Sequence, residues 1–121
     1  MARTITTFPC EDSSVTRARH AVMAFLEREG CADRGSDTAA LLVSELATNA
    51  VRHARTPFTV DMRHDDHVLE VDVGDDDPRL PILRTPDDEG GRGLRIVAAL
   101  ADEWGSRARE PGKVVSFRIS C

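Results

Sequence analysis

Two pairs of strand-like segments, each joined by a short turn, constrain most strongly what this chain can fold into. Apolar and polar residues alternate through PFTVDMRHD and HVLEVDVGD, on either side of residues 65–66, which predicts a β-hairpin. A second hairpin is predicted by EWGSRARE and KVVSFRIS, with Pro111 and Gly112 at the centre of a type II turn. A sheet built from hairpins buries one face, so other elements have to cover it.

Three segments with helical periodicity can provide that cover. The first begins after Ser13 or Ser14 and ends at Gly30. The second is predicted over residues 37–54 and the third over residues 93–101. With a short strand, RTITTFP, at the start, the element order is β-α-α-β-β-α-β-β. This order favours an α+β fold, a two-layer α/β sandwich whose mixed, mostly antiparallel sheet is covered on one face by helices.

Size and composition are those of one folded domain over residues 1–121. Apolar residues make up 40% of the chain, which is enough for a core. A formal net charge of −5 and a pI near 5.3 argue against direct binding to nucleic acid. No apolar run approaches the ~20 residues needed to span a bilayer. The segment MARTITTFPCEDSS lacks the apolar core of a secretion signal, so we expect a cytoplasmic protein without membrane contact.

The three cysteines, Cys10, Cys31 and Cys121, show no metal-binding or disulfide spacing. Their number is odd and no CxxC motif is present. In a reducing cytoplasm such residues are ordinarily separate thiols. We therefore expect neither a disulfide framework nor a zinc site.

The second predicted helix carries a polar stripe on the border of its apolar face. Glu45, Asn49 and His53 are spaced four residues apart, so a regular helix places them on one side. The same period places Asn49 and His53 deeper than Glu45. A carboxylate and an amide in this position can serve a magnesium ion and a phosphate. The alternative is a solvated helix margin without function.

Two further segments could contribute to a binding site. Asp75 follows a strand directly, where its carboxylate could accept a hydrogen bond from an exocyclic amine such as that of adenine; the alternative is a solvated acidic turn. An 18-residue connection from Asp75 to Arg92 then leads into EGGRGLRIVAAL. Glycines directly before a helix allow backbone N–H groups to approach a phosphate, and Arg92 or Arg95 could add charge. The alternative is a flexible turn.

Taken together, these segments resemble a known family. The motifs ELATNAVRHA, VDVGDDDP, GGRGL and PGKVVSF occur in the order seen in the histidine kinase-like (GHKL) ATP-binding domain of gyrase, MutL and histidine kinases. Within that group the chain is most similar to the small anti-sigma factor kinases of bacteria, over almost its whole length. The E-x-x-x-N-A-x-x-H pattern of the second helix is the most specific element.

The resemblance implies an ATP- and Mg²⁺-dependent protein serine/threonine kinase. By similarity, Asn49 is the Mg²⁺ ligand, Glu45 the general base and Asp75 the partner of the adenine amine. His53 supports the pocket. The implied residues of the phosphate-contacting lid are Gly91, Arg92, Gly93 and Leu94. The implied partners are a sigma factor, which is held inactive, and a STAS-type anti-anti-sigma protein, which is phosphorylated. The resemblance leaves pairing into a homodimer open.

The chain also departs from the family pattern near the predicted nucleotide site. Asp77 and Pro78 stand where the family has an x-G-x-G sequence after the aspartate, and Lys113 and Val114 stand near the place of a frequent threonine. A carboxylate at residue 77 that pointed inward would repel phosphate. These departures favour an alternative function, a non-catalytic partner-binding module with weak or no nucleotide binding.

Overall fold

The elements follow the order predicted from the sequence. The computed structural model describes residues 1–31, 33, 35–80 and 91–121, with the backbone alone for residues 91–93. The predicted β-α-α-β-β-α-β-β order is confirmed, with one π-helical segment added after the second helix. The elements are β1 (Ala2–Phe8), α1 (Ser13–Arg28), α2 (Ser36–Thr48), the π-helical segment (Asn49–Ala54), β2 (Phe58–Asp65), β3 (Val68–Asp75), α3 (Gly91–Leu100), β4 (Glu103–Arg109) and β5 (Gly112–Ser120).

The five strands form one sheet in the order β1-β2-β3-β5-β4, and every neighbouring pair is antiparallel. The prediction of an α+β fold with a mostly antiparallel sheet is confirmed. The sheet is not mixed, however, because no two neighbouring strands among the described residues are parallel. The strands β3 and β4 run in the same direction, on either side of the connection through α3. They are not neighbours, because β5 inserts between them and is antiparallel to both.

The core lies between the helices and one face of the sheet. Phe8 and Phe58, on β1 and β2, stack with their ring centroids 5.3 Å apart. Apolar residues of α1, α2 and α3 pack onto the same face of the sheet, as the helical periodicity predicts. None of the helices that the structure describes is long and apolar enough to cross a bilayer. The largest fully buried side chains include Phe25, Phe58, Phe117, Leu26, Leu42, Met62 and Leu69.

The other face of the sheet, which we call the open face, carries ion pairs. Arg63 on β2 contacts the carboxylates of Asp61, Glu70 and Asp72 at 3.3, 2.8 and 3.2 Å. Arg3 on β1 donates two further hydrogen bonds to Asp61. Asp61 and Asp72 are buried beneath these arginines. The charged side chains therefore shield the backbone of the central strands on the side that none of the described helices covers.

Cys31 and Cys121 form a disulfide, although they are 90 residues apart in the sequence. Cys31 follows α1 and Cys121 follows β5, and the packing of the helix layer on the sheet brings their Cα atoms within 5.7 Å. Only Cys10 is a free, exposed thiol. The expectation of three separate thiols is therefore wrong, because sequence spacing does not reveal a contact that tertiary packing creates.

The turn between β4 and β5 lies one residue earlier than predicted. Arg109 pairs with Gly112 across the hairpin, so the central residues of the turn are Glu110 and Pro111, which are joined by a cis peptide bond. The predicted type II turn is wrong, and Gly112 is instead the first residue of β5. A Cβ atom at Gly112 would overlap the backbone carbonyl oxygen of Asp75. Glycine at this position thus allows β5 to approach the end of β3.

We expect Gly112→Ala to lower the free energy of unfolding by about 1–3 kcal/mol, because the added methyl group forces β5 away from the end of β3. Gly105→Ala is the matched control, since a Cβ atom there meets nothing within 4 Å. The control should leave stability unchanged or raise it by about 0.5 kcal/mol. Urea unfolding followed by circular dichroism measures both variants. Equal losses in the two variants would contradict the close approach at Gly112.

Candidate functional site

Glu45, near the end of α2, and Asn49, the first residue of the π-helical segment, lie four residues apart at the partly exposed border of this helical stretch. Both residues are half-buried. Among the described residues, neither side chain has a hydrogen-bond or ion-pair partner. On the same helix, the hydroxyls of Ser44 and Thr48 donate to the carbonyls of Ala40 and Ser44 at 2.8 and 2.7 Å. As far as the described residues show, Glu45 and Asn49 are therefore the polar side chains between residues 44 and 49 that remain available to a ligand.

The last turn of the predicted second helix is π-helical. Residues 37–54 were expected to form one α-helix, but α2 ends at Thr48 and the π-helical segment follows. There the N–H of Arg55 donates to the carbonyl of Ala50, five residues earlier, at 2.7 Å. The wider turn alters the position of the residues that follow Asn49. His53 is exposed, so the expectation that it lies deeper than Glu45 is wrong.

Asp75, at the end of β3, forms a buried ion pair with Lys113 on β5. The Nζ atom of Lys113 lies 3.0 Å from Oδ1 and 2.9 Å from Oδ2 of Asp75. The side chain of Lys113 is 11% exposed and that of Asp75 is 8% exposed. The two residues are direct cross-strand partners. Sequence reasoning placed Asp75 correctly at a strand end but missed this partner. The register that pairs residues 38 positions apart is a property of the sheet, which no local pattern reveals.

The contacts of Asp75 leave one of its acceptor positions available. Oδ1 accepts from Lys113 and also from the backbone N–H of Asp77 at 2.9 Å. Oδ2 contacts only Lys113 among the described residues. A carboxylate has about four acceptor positions, so one remains on Oδ2. The carboxylate is thus held in one orientation and retains capacity for a single further donor.

Asp77, the residue that departs from the family pattern, is directed toward Arg79. The guanidinium of Arg79 lies 2.7 Å from Oδ2 of Asp77, and the backbone N–H of Arg79 donates to Oδ1 at 3.0 Å. These hydrogen bonds lower the pKa of Asp77 from 3.8 to about 2. The side chain is therefore ionised at neutral pH and its charge is neutralised within the turn. The backbone carbonyl of Asp77 accepts from Lys113 at 3.3 Å.

The glycine-rich segment forms the first turn of α3. The helix begins at Gly91 rather than at the predicted residue 93, so Gly91, Arg92, Gly93 and Leu94 are its first four residues. The N–H groups of the first four residues of a helix have no acceptor within the helix. The side chain of Leu94 is buried in the core. The part of the predicted long loop that covers residues 81–90 lies outside the described residues.

Helix α2 packs against α3 and also contacts β3. The elements that carry Glu45 and Asp75 are therefore neighbours, α3 packs beside α2, and Asn49 directly follows α2. The profile of the histidine kinase-like ATPase domain matches residues 8–119 of the chain.

The chain belongs to the histidine kinase-like ATPase domain family.

Comparison with solved structures gives the same fold. The chain resembles the crystal structure of the RsbU and RsbW domains of Rv1364c from Mycobacterium tuberculosis, with a TM-score of 0.78. The similarity covers 99% of this chain at 16% sequence identity, and it spans 32% of the length of the other chain. A comparison with curated proteins found no match. The structural likeness therefore concerns the fold of this histidine kinase-like domain.

Proposed function

We propose that this histidine kinase-like protein is an ATP-binding regulator of the anti-sigma factor kinase type. It phosphorylates a serine or threonine of a STAS-type anti-anti-sigma protein and sequesters a sigma factor in the cytoplasm. The observation that carries the proposal is the pair Glu45 and Asn49. In a chain of this ATPase family, both side chains are half-buried, Glu45 on α2 beside α3 and Asn49 directly after α2, and neither has a partner among the described residues.

The chemistry of these two side chains suits a magnesium-bound phosphate. Mg²⁺ prefers oxygen ligands and usually takes one or two from the protein; the amide oxygen of Asn49 is such a ligand. Bound Mg²⁺ offsets the negative charge of the phosphates. Glu45, one helical turn away, is the group that accepts the proton of the attacking hydroxyl. This half-buried carboxylate has no partner in the part of the chain that the structure describes, so it is available for that proton transfer.

Two other elements supply contacts to the nucleotide. The acceptor position that remains on Oδ2 of Asp75 suits one N–H of the adenine amine. The first turn of α3 presents backbone N–H groups that have no acceptor within the helix and the positive end of the helix dipole, and Gly91 and Gly93 allow a phosphate to approach them. The base and the phosphates would thus be held by β3 and α3 respectively, with the magnesium ligand directly after α2.

The ion pair between Asp75 and Lys113 favours a second candidate function. An ammonium group against both carboxylate oxygens weakens the remaining acceptor, because part of the negative charge is already neutralised. A protein with this pair could bind its partners without using nucleotide. The second candidate is therefore a non-catalytic partner-binding module.

We expect ATP binding to require magnesium and Asn49. Isothermal titration of ATP with Mg²⁺ should show a saturable site, and EDTA should weaken it. Asn49→Ala should reduce the affinity by about tenfold or more, since an interaction with a charged group contributes about 1.5–3 kcal/mol. Arg52→Ala, an exposed position on the same helical stretch, is the control and should bind like the wild type. Unchanged magnesium dependence in Asn49→Ala would contradict the assignment.

We expect Lys113→Met to strengthen ATP binding about fivefold, because a carboxylate without its cation is a stronger acceptor by about 1 kcal/mol. GTP, which offers no amine at the corresponding ring position, should gain nothing. The variant leaves a buried carboxylate unpaired, so circular dichroism and thermal unfolding must first show that it is folded. Weaker ATP binding in a folded variant would mean that Lys113 orients Asp75 for the base. Identical changes for ATP and GTP would place the base elsewhere.

We expect transfer of the γ-phosphate to a STAS-type protein encoded in the same genome, and loss of that transfer in Glu45→Gln. The amide has the shape of the carboxylate but cannot accept the proton, so ATP and partner binding should persist. Radiolabelled ATP and a titration of the partner measure the two properties. Tight partner binding by wild type and Glu45→Gln alike, with no transfer to any STAS candidate, would favour the non-catalytic module.

A further inference from the structure

A second cluster of polar side chains lies at the opposite end of β3 from Asp75. It consists of Cys31 after α1, His64 on β2 and Cys121 after β5. Their two sulfur atoms and a ring nitrogen of His64 all lie within 4.8 Å of one another. The two cysteines are 4% and 5% exposed. Three elements distant in sequence thus bring two sulfurs and an imidazole together in a nearly closed site.

The orientation of His64 is fixed by a carboxylate. Its Nδ1 atom lies 3.0 Å from Oε1 of Glu29, and its Nε2 atom lies 3.3 Å from Sγ of Cys31. A carboxylate only accepts hydrogen bonds, so Nδ1 carries the proton toward Glu29. In the neutral ring, Nε2 therefore directs its lone pair at the sulfur atoms.

The disulfide offers that lone pair no hydrogen bond to accept. A disulfide sulfur carries no hydrogen, so it offers Nε2 no donor. A structural disulfide requires neither an imidazole at its side nor a carboxylate behind that imidazole. The three groups instead have the chemistry of a metal site, in which two thiolates and one imidazole bind the ion. A carboxylate on the far nitrogen of the imidazole is the usual outer contact of a metal-bound histidine.

We propose that the reduced protein binds one zinc ion through Cys31, Cys121 and Nε2 of His64, with Glu29 as the outer partner of His64. A dithiol reductant first supplies two electrons and two protons, which convert the disulfide into two thiols. Binding of Zn²⁺ then displaces both thiol protons to solvent. The fourth coordination position belongs to water. The ion would join Cys31, three residues after the end of α1, to Cys121 after β5 and to His64 on β2.

Cobalt provides the direct test. The full chain is reduced, freed of metal and titrated anaerobically with Co²⁺. We expect one equivalent to bind, with thiolate-to-cobalt charge-transfer absorption and tetrahedral ligand-field bands, and Zn²⁺ to displace it. Cys31→Ser and His64→Gln should lose stoichiometric binding. Glu29→Gln should weaken it by about 10- to 100-fold. The matched controls are Cys10→Ser and His20→Gln, both at exposed positions outside the cluster, and they should bind like the wild type.

A measurement on the wild type makes the test independent of how the variants fold. Zn²⁺ should protect Cys31 and Cys121 of the reduced protein from alkylation, and Cys10 should react at the same rate with and without the ion. Peptide mass spectrometry reads the three sites separately. Equal alkylation of Cys31 and Cys121 with and without Zn²⁺, no cobalt spectrum, or full binding by His64→Gln would each overturn the proposal.

Discussion

The pairing of β5 with both β3 and β4 is the constraint on which the other features depend. It separates the two strands that the α3 crossover joins, and so makes every neighbouring pair in the sheet antiparallel. The same pairing sets Lys113 beside Asp75 at one end of β3. At the other end it carries Cys121 to Cys31. The candidate nucleotide site and the sulfur cluster are therefore both consequences of where one strand lies.

Local patterns were sufficient to predict the elements and their order. Apolar residues at helical spacing in α1, such as Val22 and Phe25, are buried as expected, and both hairpins form. The errors arise where backbone geometry departs from a regular period. The π-helical segment leaves His53 exposed, and the β4–β5 turn lies one residue early, with Gly112 packed closely against Asp75. Neither event leaves a signal in residue periodicity.

The site was predictable as a set of positions but not as a set of contacts. The sequence order places Glu45 and Asn49 on one helix and Asp75 at a strand end, because these are local properties. The partners of Asp75 and Cys31 depend on register and packing between distant segments. Lys113 is the only lysine in the chain, yet no pattern in the residues around it indicates that Asp75 is its partner. Asp77 is the exception, since its partner Arg79 is only two residues away.

The ion pairs of the open face have a consequence for how this sequence can change. Arg63 serves three carboxylates at once, and Asp72 also lies 3.6 Å from Arg107 on β4. Loss of that one guanidinium would remove one counter-charge from all three carboxylates together, although each keeps a contact to another arginine. Its effect therefore cannot be judged apart from theirs. A change at one of these acidic or basic positions therefore alters the electrostatic environment of several others.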